Sequence, residues 1–226
     1  MADSFYLGAY WGPRAESVGS CAERLADCIG RLGAAHPVLS AWHRKGRSVS
    51  AASAQPIDTG RDALEVLLSE GRDRTDIGGE VIEELGFHAA LWNRGAAVSL
   101  RTLCGAVPAA PFVSNSCVLG PFSPSDTAAV LFEPAVARGI LMALVEAWDP
   151  QWAAFTSNAM RESQHPSPGR PVAGWLTYVA GDKDLHSPPP GVIVEKVAEG
   201  TLITAASDPR QVSGPQIAAV AHCLAT

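Results

Sequence analysis

The sequence predicts an α+β protein in which a mostly antiparallel sheet packs against helices. Strand-like segments follow one another through short turns rather than through helical crossovers, which favours antiparallel pairing. The chain has 226 residues, 47% of them hydrophobic, enough to bury a sizeable core. Each half offers a helix beside a small group of strands, which is compatible with two similar halves, although no residue-level repeat supports a duplication. We therefore expect a single domain over residues 1–226.

Periodicity places the elements of the first half. Alternating residues before a Gly-Pro pair predict the first strand, and apolar residues at three- and four-residue steps predict the first helix, which Gly33 would end. Thr59 and Asp62 resemble a capping box at the start of a second helix. Arg94-Gly95 separates two strands of a hairpin. The predictions are a strand at 5–11, helices at 15–32, 38–43 and 60–69, a surface loop at 44–54, and strands at 87–93, 96–104 and 117–122.

The second half holds the clearest helix of the sequence. Pro134 lies in its first turn, Asp149-Pro150 ends it, and its apolar stripe should be buried. An exposed loop is expected at 161–171, and Ser213 with Pro215 opens the final helix. The predicted strands are 152–156, 174–179, 192–197 and 201–205. The stripe that we expect to be buried comprises Ile140, Leu141, Leu144 and Trp148.

Charge and segment patterns exclude several classes of protein. Asp and Glu number 23 against 17 Lys and Arg, a formal charge of −6, whereas a phosphate backbone is bound by clustered cations. We therefore expect no direct binding of nucleic acid and a basic protein partner instead. The apolar stretch at 128–148 is interrupted by charges, and the N-terminus lacks a signal-peptide pattern, so we expect a cytoplasmic protein without a membrane span.

The sequence contains no familiar catalytic motif. It lacks the nucleophile elbow, the phosphate-binding loop, the dinucleotide fingerprint and the H-E-x-x-H zinc motif. The five cysteines and six histidines have no metal-ligand spacing, so we expect neither a metal nor a cofactor. An enzyme of unknown type would have to use Glu83 or Glu84 with His88. A structural subunit of a larger assembly is a third hypothesis.

Two features suggest a surface for binding a protein. The segment from residue 72 to residue 84 concentrates acidic side chains, which would speed encounter with a basic partner unless Arg72 and Arg74 neutralise them locally. Trp42 precedes a basic stretch in a segment expected to be exposed, where tryptophan would serve as an interface anchor. The candidate binding residues are Trp42, Asp73, Asp76, Glu80, Glu83 and Glu84.

A series of short blocks, in this order, resembles the immunity protein 52 family of bacterial polymorphic toxin systems. The resemblance spans nearly the whole chain, although no single block is specific by itself. The blocks are YLGAYWGPR at 6–14, WHRKGR at 42–47, GRDR at 71–74, GEVIEELGF at 79–87, LWN at 91–93, GWLTY at 174–178 and GTL at 200–202.

The resemblance implies a non-catalytic antitoxin encoded beside its toxin. The toxin would carry a C-terminal nuclease domain with a restriction-endonuclease-like fold and would often be delivered by a type VI secretion system. The immunity protein would bind that toxin in the cytosol and prevent DNA cleavage. The resemblance carries over no toxin-contacting residue, so the candidate residues above depend on side-chain chemistry alone.

Overall fold

The computed structural model describes residues 3–46, 55–107, 115–123, 127–164, 170–183, 185, 188–197 and 199–225. Within these ranges, nine strands form one antiparallel sheet with the order β2-β3-β4-β5-β1-β6-β7-β9-β8, and five α-helices pack on it, which confirms the α+β prediction. The strands are β1 (Phe5–Trp11), β2 (His43–Arg44), β3 (Phe87–Asn93), β4 (Val98–Cys104), β5 (Asn115–Phe122), β6 (Trp152–Ser157), β7 (Leu176–Ala180), β8 (Ile193–Val197) and β9 (Gly200–Thr204). The helices are α1 (Val18–Ala35), α2 (Arg61–Glu70), α3 (Pro134–Trp148), α4 (Asn158–Gln164) and α5 (Gly214–Ala225).

The larger hydrophobic core lies between one face of the sheet and helices α1, α2 and α3. Strand β1 runs through the middle of the sheet, paired with β5 on one side and β6 on the other. Its alternate residues enter the core, where the ring of Trp11 stacks on Trp148 of α3 at 5.2 Å between centroids. The predicted stripe of α3 is fully buried, as expected for Ile140, Leu141, Leu144 and Trp148.

Within the described residues, a smaller core covers the opposite face over the second half of the sheet. There, Ile217 and Val220 of α5 pack with Val179 of β7 and Ile203 of β9. The strand order also differs between the halves, because β1 pairs with the last strand of its half, β5, whereas β6 pairs with the next strand, β7. Because this smaller core lies over the second half, the first half of the sheet is less covered by the described residues on the face that points away from α1 to α3. The strands of this less covered part are β3, β4, β5 and β1.

Several element boundaries differ from the sequence predictions. Helix α1 continues through Gly33 to Ala35, because tertiary packing outweighs the roughly 1 kcal/mol helix penalty of one glycine. Helix α2 begins after Gly60 without a side-chain cap, so the capping box at Thr59 was wrong. The 38–43 segment is a short 3-10 turn (Pro37–Leu39) followed by β2, not a longer helix.

The two predicted loops lie partly outside the described residues. Part of the 161–171 loop is helical instead, since α4 extends to Gln164. The side-chain amide of Gln164 forms hydrogen bonds with the backbone of Ala173, which hold this end of the helix in place. Residues 165–169 of that loop and residues 47–54 of the predicted 44–54 loop are not described.

Candidate functional site

Three of the five acidic candidates, Asp73, Asp76 and Glu80, lie on one small hairpin between α2 and β3, and Glu83 and Glu84 follow it directly on a 3-10 turn. We call residues 72–82 the acidic hairpin. Arg74 and Val81 form an isolated antiparallel bridge, Ile82 N–H donates to Asp73 O at 2.9 Å, and Thr75 N–H donates to Glu80 O at 2.8 Å. These bonds give the segment a defined conformation, although the sequence shows no strand pattern there.

An apolar residue occupies the tip of the acidic hairpin. Ile77 is 92% exposed, and it lies between Asp76 and two glycines with positive φ angles, 90° at Gly78 and 66° at Gly79. Glycine adopts this left-handed conformation without steric cost, so the chain can reverse directly after Ile77. The Thr75 hydroxyl donates to Ile77 O at 2.8 Å and accepts from Glu80 N–H at 3.1 Å, which holds the tip closed.

Close packing against β3 positions the base of the hairpin. A Cβ atom on Gly71 would lie 2.0 Å from the carbonyl oxygen of His88, so only glycine fits at this junction. The guanidinium of Arg72 lies over the ring of Phe87 at 5.1 Å, a cation–π contact. The hairpin is therefore seated on the start of β3.

Local pairing neutralises part of the acidic charge. Arg72 forms an ion pair with Glu83, and His88 Nε2 lies 2.8 Å from a carboxylate oxygen of Asp73. Asp76, Glu80 and Glu84 are exposed and form no ion pair with any residue that the structure describes. The expected neutralisation is thus observed at Glu83 through Arg72, while Arg74 instead donates to the carbonyl oxygen of Gly79.

A groove beside the acidic hairpin extends the acidic surface onto α2. It has a volume of about 530 Å³, and Arg74 of the hairpin forms one wall. Sequence reasoning missed this part of the site, although the spacing of the α2 residues would have placed them on one helix face. The α2 residues along the groove are Asp62, Glu65, Val66, Ser69 and Glu70.

The expectation of an exposed Trp42 is wrong. Trp42 is 2% exposed, and its indole N–H donates to the carbonyl oxygen of Leu39 at 2.7 Å. The short turn Pro37–Leu39 and strand β2 fold this residue into the main core. Trp42 therefore contributes to packing, and the exposed apolar residue beside the acidic group is Ile77.

The structure does not assemble the pair that an enzyme was expected to use. Glu83 forms an ion pair with Arg72, and Nε2 of His88 lies 2.8 Å from a carboxylate oxygen of Asp73 rather than beside Glu83 or Glu84. Glu83 and Glu84 lie on an exposed 3-10 turn (Glu83–Leu85). Among the described residues, no group of three His, Cys, Asp or Glu side chains is arranged to hold a metal ion.

The family of the chain follows from comparison with known proteins. The model of the immunity protein 52 family matches residues 3–225. The chain belongs to the immunity protein 52 family. The resemblance inferred from the sequence blocks is thereby confirmed for nearly the whole length of this immunity protein 52 chain.

The fold of this immunity protein 52 chain also occurs in solved structures. The Pseudomonas aeruginosa T6SS protein PA0821 matches with a TM-score of 0.56 and 10% sequence identity, over 99% of this chain and 72% of that one. At this identity the match shows a shared fold. A search of curated proteins found no match. No helix in the described ranges is both long and apolar enough to cross a membrane.

Proposed function

We propose that this immunity protein 52 chain neutralises a cognate toxin by binding it through the acidic hairpin. The observation that carries the proposal is the tip of the hairpin, where a 92% exposed isoleucine lies on a hydrogen-bonded turn between two carboxylates, Asp76 and Glu80, that form no ion pair with any described residue. An exposed apolar side chain on an ordered turn costs little entropy to bury in a partner, and so it can serve as an anchor. The carboxylates around it select a basic surface.

We infer that the toxin is a nuclease with a restriction-endonuclease-like fold, as the family resemblance implies. A nuclease cleft carries lysine and arginine because it must hold the phosphate backbone of its substrate. Asp76, Glu80 and Glu84 offer the complementary charge, which raises the association rate and favours one orientation of the partner. Binding there would block DNA from the cleft without any catalysis by the immunity protein.

The proposal includes the place of action and the route of delivery. DNA lies in the cytosol, so a protein that protects it from a nuclease would act there. Delivery of the toxin by a type VI secretion system is likewise an implication of the family resemblance.

The proposed function is tested by titrating the purified chain into the toxin domain whose gene lies beside the gene for this chain. The purified chain should inhibit DNA cleavage by that domain at a one-to-one ratio, as a stoichiometric binder does. Ile77→Asp should raise the dissociation constant about tenfold or more, because loss of a central anchor typically costs about 2 kcal/mol or more. The matched control is Ile193→Asp on edge strand β8, which alters an isoleucine that is 53% exposed and outside the hairpin.

Two results would contradict the proposal. If the chain protects DNA at far less than one equivalent and with turnover, it acts as an enzyme. If Ile77→Asp inhibits as well as the parent, the acidic hairpin is not the interface.

A further inference from the structure

A second surface lies on the less covered half of the sheet. We call it the open face, and it consists of the residues of β3, β4, β5, β1 and the start of β6 that point away from helices α1 to α3. Because successive strand residues alternate between faces, Leu7 and Ala9 enter the core while Tyr6 and Tyr10 lie on the open face. Helices α4 and α5 pack over the other half of the sheet. Arg161 of α4 reaches the edge of the open face, where its side chain hydrogen-bonds Tyr6.

The open face is rich in aromatic side chains in a fixed arrangement. Tyr10 of β1 pairs in register with Trp152 of β6, and their rings stack with centroids 4.2 Å apart at an angle of 20°. Gly8 leaves the space that the Tyr10 ring occupies, since a Cβ there would lie 2.4 Å from the Tyr10 hydroxyl oxygen. Tyr6, Tyr10, Trp92 and Trp152 all remain partly exposed. Rigid aromatic rings lose little entropy when a partner covers them.

An exposed arginine that has no partner among the described residues stands in the middle of this surface. Arg101 of β4 pairs in register with Ala90 of β3 on one side and Val118 of β5 on the other. It is exposed, and it makes no hydrogen bond or ion pair with any residue in the described part of the chain. Tryptophan, tyrosine and arginine are the residue types that most often dominate binding energy at protein interfaces.

The open face is continuous with the acidic hairpin. A hollow of about 510 Å³ on the open face is lined by Arg101, Val118, His88 and Gly71, and Gly71 is the residue from which the hairpin departs. His88 also lies 2.8 Å from Asp73 of the hairpin. A partner seated on the acidic hairpin would therefore reach the edge of the open face.

We propose that the open face is a second docking surface for the same toxin, and that it receives a segment presenting a carboxylate among apolar side chains. This inference rests on the proposed function. The carboxylate would pair with Arg101, while the apolar side chains would pack on Tyr10, Trp92 and Val118. Neighbouring surfaces of opposite charge, acidic at the hairpin and cationic on the sheet, would allow the toxin one orientation only.

Charge disfavours a second copy of this chain as the occupant. A two-fold axis through the centre of the open face would bring Arg101 against Arg101 of the other copy. Like charges in a partly desolvated contact repel each other. A toxin segment with a carboxylate opposite Arg101 would be attracted rather than repelled.

The experiment measures binding of purified variants to the toxin domain encoded beside this chain. Arg101→Glu and Arg101→Gln should each weaken binding by about 30-fold or more, since they remove one partner of a desolvated charge pair. Arg101→Lys keeps the positive charge and should lose less affinity than either. The control Arg94→Glu makes the same charge change at an exposed residue of the β3–β4 turn, outside the strands that form the open face, and should bind like the parent. Melting temperatures establish that each variant is folded.

The outcomes separate this inference from the proposed function. If the parent binds and Ile77→Asp weakens binding while folded Arg101→Glu and Arg101→Gln bind like the parent, the open-face inference is wrong and the proposed function stands. If the parent does not bind the toxin domain, both are wrong. If the Arg101 variants instead abolish a concentration-dependent dimer of the parent, the occupant is a second copy and the inference is overturned.

Discussion

At the scale of single residues, the contrast between Trp42 and Ile77 shows what decides whether an apolar side chain can act in binding. Trp42 lies beside the exposed residues Arg44 and Lys45, yet strand β2 pairs with β3 and draws it into the core. Ile77 belongs to an acidic and glycine-rich stretch that has no apolar periodicity, yet a closed turn holds it out to solvent. Burial depends on strand pairing, which neighbouring residues in the sequence do not reveal.

The burial of Trp42 leads to a stability prediction. Trp42→Ala should lower the free energy of unfolding by about 3 to 5 kcal/mol, because it empties a core site and removes the hydrogen bond to Leu39 O. Urea unfolding measures the loss. Toxin affinity per folded molecule should stay that of the parent, whereas a folded variant with a faster dissociation rate would show that Trp42 contacts the toxin after all.

At the scale of elements, the acidic hairpin acts as one charged unit. Its backbone bonds fix the positions of Asp76 and Glu80 relative to each other, and its ion pairs leave those two carboxylates without a local partner among the described residues. Such a unit influences the approach of a charged protein over about 10 Å at 0.1 M salt. Its effect should therefore appear mainly in the rate of association.

Charge reversal tests this role of the hairpin. Asp76→Lys combined with Glu80→Lys should slow association with the toxin about tenfold or more at low salt and reduce the dependence of that rate on salt, because electrostatic steering is lost. Stopped-flow kinetics measure both effects. The control Glu162→Lys with Glu199→Lys makes the same change in net charge at exposed sites on α4 and in the β8–β9 turn. If both double substitutions slow association equally, the association rate depends on the net charge of the protein and not on the acidic hairpin.

At the scale of the whole molecule, the two faces of the sheet are covered to different extents by the described helices. One face is packed by α1, α2 and α3, and this core includes cysteines of α1 that meet cysteines of the sheet. A hydrogen bond with Cys117, together with burial, raises the pKa of the Cys28 thiol well above 9.0. A hydrogen bond with Cys21, together with burial, likewise raises the pKa of the Cys104 thiol. Both thiols therefore stay protonated in the folded protein at pH values where the unfolded chain loses those protons.

These thiols predict how the stability of the molecule depends on pH. Since the folded state holds protons that the unfolded state releases, stability is fully present below about pH 8 and decreases as the pH rises through 9. The decrease should be roughly 1 kcal/mol per thiol between pH 8 and pH 9.5. Tyrosines of the unfolded chain begin to ionise at the upper end of this range and add a smaller decrease, because the pKa values of Tyr6, Tyr10 and Tyr178 are raised in the folded protein. Denaturant unfolding at a series of pH values between 8 and 9.5 measures this decrease in the free energy of unfolding. Cys28→Ala with Cys104→Ala should flatten the decline, and an unchanged slope in that variant would contradict the assignment.

The sequence by itself determined the fold class, the order of the strands other than β2 and of the helices other than α4, the buried stripe of α3, the β3–β4 hairpin and the family. Each of these depends on periodicity, turn residues or short blocks, which are local signals. Only the tertiary structure decided that Trp42 is buried, that Arg72 and His88 engage two of the acidic candidates, and that Ile77 and Arg101 stand exposed. The physical reason is that these properties arise from which strands pair and which sheet face the helices cover, and both depend on contacts between residues far apart in the chain.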